Sequence, residues 1–211
     1  MNSISIYIFR HGETDWNAQR RFQGHTDIPL NDKGKAQAME LGKVLASLNL
    51  EVILCSDLDR AHETARIATQ GLHIPMQISK SLREAFLGEP EGKLRDEIIQ
   101  FYGEESWQRW LSGKPEDFDF AYPQGETKRQ QLKRVLDFVL DYFKRNPGLQ
   151  RIGISTHGGT LRRLLYHCEG APAEITVPNC SVFKLEYIPS ENRWIYHHSV
   201  ALGAKSEKLF T

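Results

Sequence analysis

The chain has 211 residues with 27 Lys+Arg and 27 Asp+Glu, a formal net charge of zero, which excludes the basic excess that bulk binding to nucleic acid or an anionic membrane needs. Apolar residues at 40% and charged residues at 26% describe an ordinary globular protein, long enough to bury a core without disulfides or a structural metal. Three widely spaced cysteines (Cys55, Cys168, Cys180) and no CxxC exclude a disulfide scaffold and a cysteine zinc site and fit a reducing compartment. The first residues, MNSISIYIFRHGET, have no basic start, and their apolar run is too short for a signal peptide or a membrane span. A cytoplasmic location is expected.

In chain order, Ser3–Phe9 is a short β-rich apolar run that stops at Arg10-His11-Gly12 and predicts a buried strand entering a loop. Asn31-Asp32-Lys33-Gly34 predicts a helix start, and Ala38, Leu41, Val44, Leu45 and Leu48 follow at helical spacing. Val52–Cys55 predicts a second strand, Leu58–Ala68 a helix with Ala61, Ala65 and Ala68 on one face, and Met76–Ile78 a third, weaker strand. Residues 82–124 are rich in Gly, Pro, acids and aromatics. They predict an insertion with short helices near Lys93–Tyr102 and Glu104–Leu111 that covers something, within a single domain of residues 1–211. A long helix is predicted near Thr127–Arg145, ended by Pro147-Gly148, then a fourth strand at Arg151–Ser155 and a helix at Thr160–Cys168. Val182–Tyr187 and Trp194–His198 read as a terminal pair of strands. Strands alternating with helices imply βαβ units: a three-layer α/β/α sandwich with a mainly parallel central sheet and a small helical lid insertion.

In such sheets ligands bind beyond the carboxyl ends of the strands. Each of the first four strands ends near chemistry: Arg10 and His11, then Ser56 and Arg60, then Arg83 and Glu84, then Thr156, His157 and Gly158. A single polar loop residue means little, but Arg10 and Arg60, His11 and His157, and Glu84 on one sheet edge make a site for a dianion. Guanidinium forks match phosphate oxygens. Gly12, Gly158 and Gly159 allow close backbone approach, and a helix beginning after Gly159 is expected to add free N–H donors. A phosphomonoester is the expected ligand. There is no H-E-x-x-H, and arginines repel a cation, so no metal and no cofactor are expected. A neutral imidazole could instead act as nucleophile, its second nitrogen donating to a carbonyl, with a carboxylic acid opposite to protonate the leaving oxygen.

Arg10-His11-Gly12-Glu13-Thr14, with Trp16-Asn17, resembles the signature of the histidine phosphatase (phosphoglycerate-mutase-like) superfamily. Gln23-Gly24-His25-Thr26-Asp27-Ile28-Pro29-Leu30 resembles its QGxxDxPL stretch, Ser56 to Ala65 its SxLxRAxxTA stretch, and Leu82-Arg83-Glu84 with Gly88 and Glu91-Gly92 its LxExxxGxxEG stretch. Pro123 to Thr127 and Ser155-Thr156-His157-Gly158-Gly159 are similar to its P-x-G-E-S/T element and second histidine motif. The resemblance covers roughly residues 4–200. It implies that His11 is phosphorylated, that Arg10, Arg60 and His157 hold the phosphoryl oxygens with Asn17 assisting, and that Glu84 is the acid and then the base. Gln23, Gly24 and Gly158 are implied as further phosphate- or substrate-binding positions.

The bland reading is kept for the remaining polar residues. Glu13 and Thr14 are expected to brace the loop, and Arg83 to turn outward. Glu126 either serves the family element or caps the long helix, and Arg20 and Arg21 either reach substrate or are solvated. Arg162 and Arg163 are expected in surface salt pairs, His25 and the other histidines in packing or at the surface, and Cys55 in the core. The family holds hydrolases and mutases. His25 where the mutases have Gly-Trp, the His157-Gly158-Gly159-Thr160 pattern and the short segment of residues 85–124 resemble the hydrolases. The resemblance thus implies a histidine acid phosphatase-type phosphoric monoester hydrolase acting on a small phosphorylated substrate. A phosphoglycerate mutase and a non-catalytic phospho-ligand module are the alternatives. The sequence carries no signal of an oligomeric state.

Overall fold

Alternating side chains set the layers. The structure, a computed structural model, describes residues 3–201. In β1 (Ile4–Arg10), Ile4, Ile6 and Ile8 enter one core cluster and Phe9 another; in β2 (Val52–Ser56), Val52 and Leu54 face the first and Ile53 and Cys55 the second. A strand buried on both faces must be covered by helices on both. With β3 (Met76–Ser79) and β4 (Arg151–Thr156), these strands run parallel. A hairpin of β5 (Val182–Ile188) and β6 (Arg193–Ala201) adds antiparallel to β1, completing a six-stranded sheet of order β3-β2-β4-β1-β5-β6.

The helices among the described residues are α1 (Asp15–Ala18), α2 (Asp32–Leu45), α3 (Asp59–Ala68), α4 (Arg95–Tyr102), α5 (Glu104–Leu111), α6 (Lys128–Arg145) and α7 (Gly158–His167). α2 and α3 cover one face of the sheet through Leu41, Leu45, Ala65 and Ala68. α6 and α7 cover the other through Val135, Val139, Phe143, Leu161, Leu164 and Leu165. Each of the larger side chains contributes about 1.5–3 kcal/mol by leaving water. The expected α/β/α sandwich is therefore the observed one. The expected helix boundaries shift by a residue or two, because the caps define them. Asn31 Oδ1 accepts from the Gly34 N–H at the start of α2. At α6 the cap is Thr127, in reciprocal bonds with Gln130, and not Glu126. The four-residue α1 was not expected from periodicity. It is nucleated by a capping box between Thr14 and Asn17.

Between β3 and α6 the chain builds a separate small core of Ala85, Leu87, Ile98, Trp107, Trp110 and Tyr122. Phe22, from the loop after α1, inserts into it, with ring centroids 5.6 Å from Trp107 and 5.8 Å from Trp110. This segment therefore packs directly on the loop that follows β1. The register of the central strands fixes the rest: Arg10 pairs with Thr156 across β1 and β4. The next residue of each strand is a histidine, so the two imidazoles leave the sheet side by side.

Candidate active site

His11 and His157 are buried with ring centroids 5.2 Å apart. The main chain holds the first ring's loop from three directions. The His11 N–H donates to Thr156 O at 3.0 Å, the His11 carbonyl accepts from Asn179 Nδ2 at 3.0 Å, and the Gly12 N–H donates to Thr64 Oγ1 at 2.9 Å. Gly12 is required there, since a Cβ would stand 2.5 Å from the Gly34 carbonyl oxygen. His11 Nδ1 lies 2.7 Å from its neighbour's carbonyl, Gly12 O. A carbonyl only accepts, so Nδ1 carries the proton and Nε2 keeps its lone pair.

Burial, reinforced by Arg60 and Arg10, holds His11 well below the ordinary histidine value, against the opposing bond to Gly12. Burial first, then Arg60 and His11, does the same to His157. His157 Nδ1 accepts from Arg60 Nε at 3.2 Å and its Nε2 lies 2.8 Å from Ser56 Oγ, which fixes the ring.

Arg60 is wholly buried. Its fork donates to Gly24 O at 2.6 Å and Thr26 O at 3.0 Å. Gly24 thus holds Arg60 through its carbonyl and is not on the cavity wall. Arg10 donates from Nη1 to Val177 O at 2.8 Å, while its buried Nε has no hydrogen-bond partner among the described residues. Burial, aided by neighbouring positive charge, lowers Arg10 to about 10; burial, outweighing its acidic neighbours, lowers Arg60 likewise to about 10. Asn17 donates to Gln23 Oε1 at 3.3 Å, an oxygen that also accepts from Thr14 Oγ1. The buried Gln23 Nε2 is left without a hydrogen-bond partner among the described residues.

Glu84 lies at the amino end of α7. Its Oε2 accepts from the Gly159 N–H at 2.7 Å, and its Oε1 from Gln131 Nε2 at 2.9 Å, Ala85 N at 2.9 Å and Thr160 N at 3.0 Å. The amides expected to be free for a ligand therefore serve this carboxylate instead, because an anion close to a helix start satisfies them. Burial by itself would raise the Glu84 pKa. Arg163, the Gln131 bond and the amides of Ala85 and Gly159 outweigh it and hold the carboxyl below its ordinary value.

Arg10, His11, Asn17, Gln23, Arg60, Glu84, His157 and Gly158 all line one cavity of about 100 Å³, bordered also by Phe22, Leu87, Trp107, Trp110 and Leu111. Arg21 also reaches it, while its Nη1 donates to Gly92 O. Arg83 instead pairs outside with Asp57, at 2.7 and 2.6 Å, as expected of a residue turned away. Glu13 accepts from Asn31 and Lys33, bracing the loop. The surface salt pairs expected for Arg162 and Arg163 are absent among the described residues. Both line the cavity, and Arg163 is 5% exposed with its guanidinium 4.5 Å above the Trp110 ring. From the segment of residues 82–124, Trp107, Trp110 and Leu111 line the cavity together with Gly158, Arg162 and Arg163 of α7.

Three supporting residues escaped the sequence reading. Arg134 donates to the carbonyls of Ser81 (2.7 Å), Arg83 (3.0 Å) and Glu84 (2.7 Å) and pairs with Glu126. Gln131 bridges Glu84 and Thr160, and Asn179 joins His11 O to Asn17 Oδ1. Their amphipathic or loop context gave no signal. His25, read as packing or surface, places Nε2 2.9 Å from Glu84 O.

Two imidazoles, buried guanidinium groups and, among the described residues, one carboxylate around one cavity of an α/β sandwich form a donor set that suits a phosphoryl group. A family model described as histidine phosphatase superfamily (branch 1) matches residues 6–199, and the chain belongs to that superfamily. A Cronobacter sakazakii protein named "Probable phosphoglycerate mutase GpmB" is 34% identical over 197 residues, 91% of this chain and 88% of that protein. Bacillus stearothermophilus YhfR superposes with a TM-score of 0.80 at 32% identity, over 95% of this chain and 98% of that one. The alpha-ribazole phosphatase from Shigella flexneri superposes with a TM-score of 0.75 at 27% identity, over 96% of this chain and all (100%) of that one.

Proposed function

We propose that the protein is a phosphomonoesterase that hydrolyses a small phosphorylated metabolite through a phosphohistidine on His11. The observation that carries this reading is the His11 Nδ1–Gly12 O contact of 2.7 Å, which leaves Nε2 as a lone-pair donor in a ring that lines the arginine cavity. The lowered His11 pKa keeps that lone pair available at neutral pH. Nε2 attacks phosphorus and forms a P–N bond as the ester P–O bond breaks, and Glu84 delivers a proton to the departing oxygen. Arg10 and Arg60 hold the non-bridging oxygens, His157 joins them when its Nε2–H exchanges Ser56 Oγ for a phosphoryl oxygen, and Asn17 and Gln23 add amide donors. Gly158 permits the close approach of Arg10, whose Nε would be 3.3 Å from a Cβ there. Water then attacks phosphorus, its proton passes to the Glu84 carboxylate, and the P–N electron pair returns to Nε2.

Glu84 must be protonated for the first step although its surroundings favour the anion. A phosphate dianion beside it opposes ionisation by like charge, so the proton is taken up together with substrate. The cavity of about 100 Å³ is well below the roughly 300–1,000 Å³ of pockets for drug-sized ligands and supports a small leaving group.

The test is release of inorganic phosphate from p-nitrophenyl phosphate and a metabolite panel. Quenching in an alkaline denaturant should trap an acid-labile, base-stable phosphoprotein, and His11→Ala should abolish both. Tight substrate binding with no turnover would leave a non-catalytic module instead. Mutase activity is the second reading, favoured by the name of the 34% identical relative. With 3-phosphoglycerate and bisphosphoglycerate a mutase yields 2-phosphoglycerate, whereas the proposed enzyme yields phosphate.

A further inference from the structure

Arg163 is buried in a way the proposed chemistry does not use. It projects from α7 into the cavity, 5% exposed, stacked 4.5 Å above Trp110. Among the described residues its guanidinium has no hydrogen bond and no carboxylate within salt-bridge distance, and its Nε is buried without a partner. Other buried cations are treated differently here. Arg134 is spent on three carbonyls and Glu126, and Lys128 Nζ donates to Arg109 O at 2.6 Å and Ser112 O at 2.7 Å. An ionised group with open donors in a low-dielectric site costs several kcal/mol, and a guanidinium presents five N–H donors.

Glu84, the nearest acid, does not satisfy Arg163. Both its oxygens are already taken by Ala85, Gly159, Thr160 and Gln131. The charge balance agrees. Among the described residues five arginines (Arg10, Arg21, Arg60, Arg162, Arg163) line a cavity with one carboxylate, and Arg162 opposes both Arg10 and Arg163. A phosphoryl dianion beside His11 answers Arg10 and Arg60. Arg163 stands beside Glu84, on the side from which the leaving oxygen is protonated.

We infer that Arg163 is a specificity-determining residue that receives a second anionic group, a carboxylate or a second phosphoryl, carried on the alcohol part of the substrate. This rests on the hydrolase reading and narrows its substrate class to doubly anionic phosphomonoesters. Trp110 holds the guanidinium plane, so its edge donors present a bidentate face.

The test compares glycerol 3-phosphate with 3-phosphoglycerate, which replaces its CH2OH by a carboxylate, and with propanediol bisphosphate for the phosphoryl arm. Wild type should favour at least one of the compounds with a second anionic group over glycerol 3-phosphate by more than tenfold in kcat/KM. In Arg163→Gln that ratio should fall at least tenfold, to near one, chiefly through KM, as expected for one lost charge pair; Arg163→Lys should restore part of it. A wild type indifferent to the second anion overturns the inference. So does an Arg163→Gln variant that loses kcat equally on all three compounds with a shifted pH profile, since that describes a residue acting through Glu84. If Arg163→Gln fails to fold, Arg163→Lys reads the same ratio. If wild type hydrolyses nothing, calorimetric binding of the three compounds to the His11→Asn protein still reads the preference, and separates failure of this inference from failure of the hydrolase reading.

Discussion

The paired imidazoles make the fold sensitive to mild acid. Burial is the main cause that lowers both His11 and His157, with Arg60 next for each, so the native state keeps them neutral where the unfolded chain protonates them near 6.5. As pH falls through that value the unfolded state binds more protons than the native one, and stability falls with it. A full proton of difference is worth about 1.4 kcal/mol per pH unit, so two histidines remove roughly 2–2.5 kcal/mol between pH 6 and pH 5. That is a large share of a typical 5–15 kcal/mol. His167, also lowered by burial, adds in the same direction. The lowered carboxylates, Glu84 and Asp57 among them, lose their contribution as pH falls below the ordinary carboxylate range, mostly outside this window. The assay is urea unfolding followed by tryptophan fluorescence at pH 7, 6 and 5 in phosphate-free buffer. His157→Asn lowers stability at every pH by breaking the Arg60 and Ser56 contacts, but its slope with pH should be shallower by about half of the two-histidine effect. A wild-type midpoint that does not move between pH 6 and 5, or a variant that falls as steeply as wild type, refutes the assignment of two neutral buried imidazoles.

Arg134→Met removes the clamp on the Ser81, Arg83 and Glu84 carbonyls; unfolding free energy should drop by about 2–3 kcal/mol and kcat at least tenfold, read by denaturation and phosphate release on the same preparation. Gly159→Ala places a Cβ against Arg163 Nη1 and 2.5 Å from Glu84 Oε1, so kcat/KM should fall by about a hundredfold or more while far-ultraviolet circular dichroism stays native. Turnover of p-nitrophenyl phosphate should persist in excess EDTA, because each proposed step is carried by histidine, arginine and glutamate; loss of activity restored by a divalent cation would contradict the mechanism.

What the sequence made legible was whatever is written in short range. Ile4, Ile6 and Ile8 alternate, Leu41 and Leu45 keep helical spacing, and each parallel strand runs into polar residues at its carboxyl end. Topology alone then gathers His11, Arg60, Glu84 and His157. The unread parts depend on contacts across the fold. α1 has no apolar period and rests on a Thr14–Asn17 cap. Arg162 and Arg163 are adjacent on one helix, about 100° apart, and only the position of Trp110, far away in sequence, decides which one is buried under an aromatic plane. Gln131 and Arg134 look like the polar side of an amphipathic helix until the Glu84 loop is laid against them.

Glu84 shows why the second histidine motif needs its glycines. The same carboxylate that is proposed to move a proton also satisfies the N–H groups of Gly159 and Thr160 at the start of α7. That helix has no side-chain cap of its own. A side chain at Gly159 would occupy the space of the carboxylate, so the helix can begin immediately after His157 only if the residue after next lacks a Cβ. Strand β4, the His157 ring, the helix start and the acid from the third strand's loop are thereby locked into one unit. Removing the carboxylate with Glu84→Ala exposes those amides, whereas Glu84→Gln keeps an acceptor oxygen for them. Chemistry and capping therefore separate: Glu84→Gln should lose most turnover while keeping near-native stability, and Glu84→Ala should lose both, by about 1–3 kcal/mol on the stability side for the amides left unsatisfied. Equal stability of the two variants would show that the helix start does not depend on this carboxylate.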